Sequence, residues 1–152
     1  MKLLIALFFV LGSFSSFSKI HEVKLLNKGT DGQKMVFEPM VLFIKKGDSV
    51  KFIPTDKSHN VMSMTKKGGI PTGSKKWKGK TSKVHIQKFD EEGVHGIKCR
   101  PHLAMGMVGA IVVGKAKNYD AFKKVRLIGK AKKRFKDILK TVKTGKAGKA
   151  GK

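Results

Sequence analysis

The residues with the most distinctive chemistry in this sequence are clustered near its middle. Cys99, His102, Met105 and Met107 place a thiol, an imidazole and two thioethers within nine residues, and a second imidazole, His59, stands forty residues upstream of the cysteine. Thiolate and thioether are soft ligands that suit Cu(I), and imidazole suits both oxidation states of copper. Two imidazoles and one thiolate in a plane, with a distant axial thioether, form the ligand set of a blue-copper electron-transfer centre. The spacing therefore predicts a copper site.

Each of these residues, taken alone, has a simpler explanation. A free cysteine is usually a small buried hydrophobe, a methionine usually fills the core, and a single histidine is usually a surface or packed residue. Zinc is the competing ion, although a methionine ligand favours copper. Cys99 is the single cysteine of the chain, so it has no intramolecular disulfide partner. The combination of donors at this spacing favours metal binding over the separate explanations.

The amino terminus has the pattern of a secretory signal. Met1 and Lys2 are followed by nine apolar residues, 3–11, and then by a small and polar stretch that ends at Ser18. The apolar run is about half of the roughly 20 residues that a membrane-spanning helix needs, so a cleaved signal peptide is favoured over an uncleaved anchor. We expect cleavage after residues 1–18 and a periplasmic mature chain without a transmembrane segment.

The elements that must position the metal ligands follow this signal segment. Within residues 19–114, short apolar runs alternate with turn signals, which predicts a β-sandwich or barrel. The predicted strands are residues 22–27, 35–37, 41–44, 49–54, 83–89, 94–99 and 107–113. Residues 64–82 hold five Gly or Pro and six Lys, which predicts a long exposed loop with Trp77 as its apolar anchor.

The carboxyl-terminal quarter has a helical pattern. Asn118 is expected to cap a first helix whose apolar face includes Val125 and Ile128. In a second helix the apolar residues recur at the spacing of an amphipathic stripe: Ala131, Phe135, Ile138, Leu139 and Val142. We expect both helices, within residues 115–143, to pack on the same domain. The Gly- and Lys-rich residues 144–152 lack apolar periodicity and are predicted to be disordered.

The ligand cluster and several flanking segments resemble a known family. Residues 98–107, Lys-Cys-Arg-Pro-His-Leu-Ala-Met-Gly-Met, are similar to the ligand loop of the cupredoxins, with two residues between Cys and His and four between His and Met. Further segments resemble pseudoazurins in the same order: residues 26–29, 35–39, 47–48, 52–54, 56–57 and 59–61. The resemblance covers residues 20–143. It implies a mainly β fold, a cupredoxin-like Greek-key β-sandwich with two carboxyl-terminal α-helices, and one copper ion in a type 1 site.

The resemblance also assigns roles to single residues. It implies four copper ligands, the methionine being axial: His59, Cys99, His102 and Met107. Asn60 resembles the residue that ties the two ligand loops together near the thiolate. An apolar docking patch is implied around the exposed edge of the second ligand histidine: Met35, Pro101, Leu103 and Met105.

Some positions depart from the family pattern. Arg100 and Leu103 stand where Thr and Tyr are usual, which we expect to alter partner docking more than copper binding. His95 replaces an aromatic residue, and we expect it to be packed or hydrogen-bonded rather than a metal ligand. His21 and His85 are expected to be exposed strand residues.

The net charge of the protein indicates what kind of partner it attracts. The 152 residues include 34 Lys or Arg and 10 Asp or Glu, a formal net charge of +24, which predicts attraction to anionic surfaces without identifying them. The resemblance implies a monomeric periplasmic electron carrier, not an enzyme, that docks on acidic surfaces of redox proteins. The resemblance implies nitrite reductase in denitrification as the first such partner, and nitrous oxide reductase or cytochrome c as others. Copper storage or delivery is the alternative function, and specific nucleic-acid binding is disfavoured because the apolar residues of the basic segments fit a core-facing stripe.

Overall fold

The structure, a computed structural model, describes residues 18–145 of the chain. The expected signal peptide, apart from Ser18, and the end of the basic tail, residues 146–152, lie outside the described residues. The strands are β1 Ile20–Lys28, β2 Lys34–Glu38, β3 Val41–Ile44, β4 Ser49–Pro54, β5 Met62–Ser63, β6 His85–Lys88, β7 Gly93–Lys98 and β8 Val108–Val113. They are followed by the helices α1 Tyr119–Phe122 and α2 Gly129–Thr144.

The strands form two four-stranded sheets. The first has the order β2-β1-β4-β6 and the second the order β3-β8-β7-β5. The pairs β1–β4 and β3–β8 are parallel and the other pairs are antiparallel. β7 and β8 are consecutive in the chain and pair antiparallel in the second sheet, so the loop between them is a hairpin connection at one end of the sandwich. This loop contains the predicted cysteine, histidine and methionine ligands.

The second sheet is the middle layer of three. All six residues of β8 are buried, because alternate side chains enter two different cores. Ile111 and Val113 pack between the sheets with residues such as Phe37 and Phe52. The intervening β8 side chains pack on the other face, against the helices, in a second cluster: Val108, Ala110 and Val112. The continuous apolar run of β8 therefore reflects burial on both faces.

Helix α2 covers the outer face of this middle sheet. The buried side chains of α2 follow the predicted stripe: Ala131, Phe135, Ile138 and Val142. Phe135 meets Phe122 edge to face with ring centroids 5.0 Å apart. The helix ends at Thr144, and the next residue, Gly145, has a left-handed backbone (φ 65°) and donates its N–H to the carbonyl of Thr141. The mainly β fold with two carboxyl-terminal helices is thus confirmed.

The first of the two helices differs from the prediction. It is a single turn, Tyr119–Phe122, and Val125 and Ile128 lie in a non-helical segment in which Val125 is buried and Ile128 is 85% exposed. Asn118 makes no side-chain capping bond. Its amide instead accepts a hydrogen bond from the N–H of Val94 at 2.6 Å and donates one to the Val94 carbonyl at 3.0 Å. Tertiary hydrogen bonding to β7 therefore replaces the expected cap.

The remaining predictions agree more closely with the structure. The strands predicted at 41–44 and 49–54 have those bounds, and the other five predicted strands overlap observed ones. The short strand β5 was not predicted, because two residues are too few to show the alternation of apolar and polar side chains that marks a strand. In the long loop, Trp77 packs against the inter-sheet core and lies 5.6 Å from Phe52 between ring centroids, as expected for an apolar anchor.

Among the described residues, no helix has both the length and the apolar character that crossing a membrane requires.

Candidate metal centre

The hairpin between β7 and β8 fixes one half of the site. Cys99 directly follows β7, and its N–H donates to the carbonyl of Met107 at 3.0 Å, which continues the antiparallel ladder by one pair. The loop between them folds back on itself, because the N–H groups of Met105 and Met107 both donate to the carbonyl of His102. Cys99, His102 and Met107 are therefore held on one compact turn whose main chain is extensively hydrogen-bonded.

The other half of the site comes from the segment after β4. The carbonyl of His59 accepts a hydrogen bond from the N–H of Ser82 at 2.8 Å, which ties this segment to the long loop. The Asn60 side-chain oxygen accepts a hydrogen bond from the N–H of Arg100 at 2.9 Å. Asn60 therefore links the segment that carries His59 to the loop that carries Cys99 and His102.

The two halves bring three possible ligands together. One ligand atom from each of His59, Cys99 and His102 lies within 4.8 Å of the others. The two Nδ1 atoms of the histidines face each other at 3.0 Å, and the cysteine Sγ lies 3.5 Å from Nδ1 of His102. His59 and Cys99 are fully buried, whereas His102 is half-buried. The three donor atoms converge on one point and leave a single imidazole edge near the solvent.

A hydrogen bond outside the cluster orients His59. Its Nε2 lies 3.0 Å from the side-chain oxygen of Asn27, which is an acceptor, so Nε2 carries the proton. The Nδ1 atom is then unprotonated in the neutral ring and available to a metal. This arrangement fits copper, because a neutral imidazole with a fixed tautomer is what a copper ligand requires.

Burial governs the protonation of the site. It lowers the pKa of His59, an effect to which the nearby His102 adds, so the neutral imidazole is favoured. Burial also raises the pKa of the Cys99 thiol, although N–H groups of Asn60 and His102 directed at the sulfur oppose that rise. A metal entering the site must therefore displace the thiol proton, which makes metal binding dependent on pH.

The methionines occupy different surroundings. Met107 is fully buried and belongs to the same core cluster as Cys99. Met105 is 42% exposed, and Pro101 beside His102 is also exposed. Leu103 is half-buried against the helical core and Met35 is half-buried against the inter-sheet core.

Sequence reasoning missed Arg134, which supports the ligand loop from α2. Its guanidinium donates to the carbonyls of Gly106 at 2.7 Å and Lys34 at 3.1 Å, and to the carbonyl of Met35. It also reaches the Gln33 side chain. One side chain thus ties the residue before Met107 to β2 and to α2. Its partners are main-chain carbonyls, which have no signature in the sequence.

The other three histidines are structural. His95 is buried, its Nε2 lies 2.8 Å from the carbonyl of Glu91 and its ring packs edge to face on Phe89, as expected. The prediction that His21 and His85 are exposed is wrong. The His21 side chain is 18% exposed and lies 2.8 Å from Asp48, while His85 is half-buried and stacks on the long loop's tryptophan at 5.0 Å.

Fold and site together define a copper protein of the cupredoxin class. Residues 23–114 match the model of copper-binding proteins of the plastocyanin/azurin family. The chain is 44% identical to the pseudoazurin of Paracoccus pantotrophus over 119 residues, covering 78% of this chain and 80% of that one. It is 49% identical to the pseudoazurin of Methylorubrum extorquens over 105 residues, covering 68% and 69%.

Comparison with solved structures also finds pseudoazurins among the similar proteins. A pseudoazurin structure from Sinorhizobium superposes with a TM-score of 0.80 at 39% identity, covering 84% of this chain and 98% of that one. A pseudoazurin structure from Hyphomicrobium denitrificans superposes with a TM-score of 0.76 at 41% identity, covering 81% and 98%. The chain belongs to the plastocyanin/azurin family of copper-binding proteins, and within it to the pseudoazurins. It is accordingly a blue copper electron-transfer protein with a type 1 site.

Proposed function

We propose that the single copper ion is held by His59, Cys99 and His102 with Met107 as the axial ligand, and that the protein shuttles single electrons in the periplasm. The observation that carries this proposal is the convergence of three buried or half-buried ligand atoms within 4.8 Å on a hydrogen-bonded frame. The inclusion of Met107 among the ligands is supported by its full burial in the same core and by its main-chain bond to Cys99.

The residues around the site hold the metal ligands in place and leave one ligand near the solvent. Copper, when bound, exchanges one electron between its Cu(I) and Cu(II) states. Asn27 holds the His59 ring, and Asn60 couples the two ligand segments, so the ligands need little rearrangement when the charge at the site changes. His102 is the ligand closest to solvent, and we propose its edge as the route by which electrons enter and leave.

We propose that the docking surface surrounds that edge. Its apolar part consists of four side chains: Met35, Pro101, Leu103 and Met105. Basic side chains adjoin it, since Arg100 and Lys98 lie in the same stretch of chain and Lys130 packs beside Gly106. A small apolar contact with a charged rim favours fast encounter and fast release, which a shuttle needs. The partner we propose is a nitrite reductase with an acidic surface, in denitrification.

The copper assignment is tested by visible absorption during titration with Cu(II). We expect the parent chain to develop an intense band that disappears on reduction, and Cys99→Ser to develop none. Met105→Leu is the matched control, because this exposed methionine is not a proposed ligand, and it is expected to keep the band. A colourless parent that takes up Cu(I) tightly would refute electron transfer at this site and favour copper storage or delivery.

The partner assignment is tested by the kinetics of electron transfer to a nitrite reductase at increasing ionic strength. The rate is expected to fall as salt screens the basic rim. Lys130→Gln, beside the ligand loop, should slow the reaction by about threefold to tenfold at low salt. Lys140→Gln, ten residues further along α2 and so about 15 Å away, removes the same charge and should have little effect. Rates that do not depend on salt would contradict the proposed partner.

Export is the last part of the proposal. Its support is the apolar amino-terminal stretch of the sequence, which precedes the first described residue. We expect the protein isolated from the periplasmic fraction to begin at Lys19, as mass spectrometry of the intact chain would show. Full-length protein in the cytoplasmic fraction alone would contradict it.

A further inference from the structure

A groove of about 500 Å³ lies beside the ligand loop. Three parts of the chain line it: residues 64–66 of the long loop, the residues on either side of Cys99 and His102 between positions 98 and 104, and residues between positions 125 and 131, where the chain enters α2. Its volume falls in the range of sites that bind small organic molecules. Buried Met64 and Val125 contribute to its apolar wall, so the groove is built on the packed core.

One lip of the groove is an exposed isoleucine. Ile128 is 85% exposed, the largest exposure among the large apolar side chains in the part of the chain that the structure describes. Half-buried Leu127 and Leu103 line the groove near it. Ile128 itself lines the groove, so its side chain and the apolar wall form one continuous apolar surface on which an apolar ligand would fit.

The groove also carries three cations. Lys66, Lys98 and Arg100 line it, and no acidic side chain in residues 18–145 forms an ion pair with any of them. The ammonium of Lys66 is fixed at the wall by a 2.6 Å hydrogen bond to the carbonyl of Arg126. Because the three cations line one groove without an acidic partner among the described residues, they repel one another. An anion placed among them would relieve this repulsion.

We propose that the groove binds a soluble single-chain amphiphilic carboxylate, with its apolar chain against Ile128 and its carboxylate among Lys66, Lys98 and Arg100. Charge complementarity selects an anion, and the apolar wall selects a ligand with an aliphatic body. The site is separate from the copper ligands, and the proposal does not depend on the electron-transfer partner. Pro101 and Leu103 line the groove and also belong to the proposed docking patch beside His102, so the bound molecule would cover part of that patch.

The test is a titration of the copper-loaded, reduced chain with sodium decanoate below its micellar concentration, followed by calorimetry and methyl NMR. We expect one saturable site, with shifts concentrated on Met64, Leu127 and Ile128. Ile128→Ser should weaken binding by about tenfold, because part of the apolar contact is removed. Arg100→Gln should weaken it by about threefold to tenfold, whereas Lys140→Gln removes the same charge elsewhere and should not change it.

Three outcomes would overturn the proposal. Decyltrimethylammonium binding as tightly as decanoate would show that the cations do not select the ligand. Equal weakening by Arg100→Gln and Lys140→Gln would show that decanoate is attracted only by the net charge of the protein and not by the cations of the groove. Association with phosphatidylglycerol vesicles in the absence of decanoate binding would assign the groove to a membrane surface instead. Thermal unfolding of each variant serves as the check on folding, and exposed Ile128 is not expected to affect it.

Discussion

Replacing Arg134 with methionine should remove the hydrogen bonds that tie the metal-ligand loop to α2 and so destabilise the fold around the metal centre. The guanidinium donates to three main-chain carbonyls, those of Lys34, Met35 and Gly106, and methionine keeps much of the apolar stem but donates to none. A hydrogen bond from a charged donor contributes about 1.5–3 kcal/mol, but water can replace part of these bonds at a half-buried position. We therefore expect the free energy of unfolding to fall by about 3 kcal/mol.

The assay for this prediction is urea unfolding of the copper-free chain, paired with the visible spectrum of the copper-loaded chain. The midpoint should fall while the denaturant slope stays constant, since the same surface is exposed on unfolding. The band should change as well, because Gly106 directly precedes the proposed axial ligand Met107. Arg134→Lys is the matched control, since it keeps the charge but cannot span three carbonyls, and it should recover part of the loss.

Two results would refute this reasoning. A methionine variant within about 0.5 kcal/mol of the parent, the range of ordinary surface substitutions, would show that the carbonyls are satisfied by water at little cost. Full recovery by Arg134→Lys would show that charge, and not the forked geometry of the guanidinium, is what the loop requires.

Three further changes test other parts of the structure. Phe135→Ala should cost about 3–5 kcal/mol in urea unfolding, because it removes a buried ring that packs on Phe122, and a cost below 1 kcal/mol would contradict the packing of α2 on the middle sheet. Gly106→Ala should cost about 1–3 kcal/mol and alter the copper band, since the residue has φ +92°; an unchanged midpoint and band would show that the loop adapts. Asp48, whose pKa is lowered to about 2 chiefly by the N–H of Lys19, stabilises the fold above its unfolded value of 3.8. Stability should therefore fall as the pH drops from about 4 towards 2, and Asp48→Asn should lack this part of the decline in acid titrations followed by circular dichroism.

The sequence was most informative where a side chain's neighbours are close in the chain. Three of the four proposed copper ligands lie within nine residues, and the bounds of the strands at 41–44 and 49–54 could be read from apolar runs between turns. The second helix was readable for the same reason, because its stripe is a local property of one element.

Long-range contacts account for what the sequence did not reveal. Asn118 has the residue type of a helix cap, yet its amide bonds to β7 twenty-four residues earlier. His21 was expected to be exposed because nothing near it in the chain marks Asp48 as its partner. Ile128 has the three-residue spacing of a helix's apolar face, but the first helix ends after one turn and leaves this side chain exposed to solvent. The first two errors arise from a tertiary partner that the local pattern does not encode, and the third arises from a helix that ends earlier than its apolar spacing indicates.

The contact between Asp48 and the main-chain nitrogen of Lys19 has a consequence for maturation. The two atoms lie 2.9 Å apart, and cleavage after Ser18 would turn that amide nitrogen into a free α-ammonium group. A hydrogen bond from a neutral amide to this carboxylate, which is ionised throughout the physiological range, would become a salt link, while the exposed bond from the Ser18 hydroxyl to Gly47 would be lost. The contact with Asp48 would then hold the start of the first strand more strongly in the processed protein than in its precursor. If the proposed cleavage after Ser18 takes place, removal of the leader would therefore stabilise the start of β1.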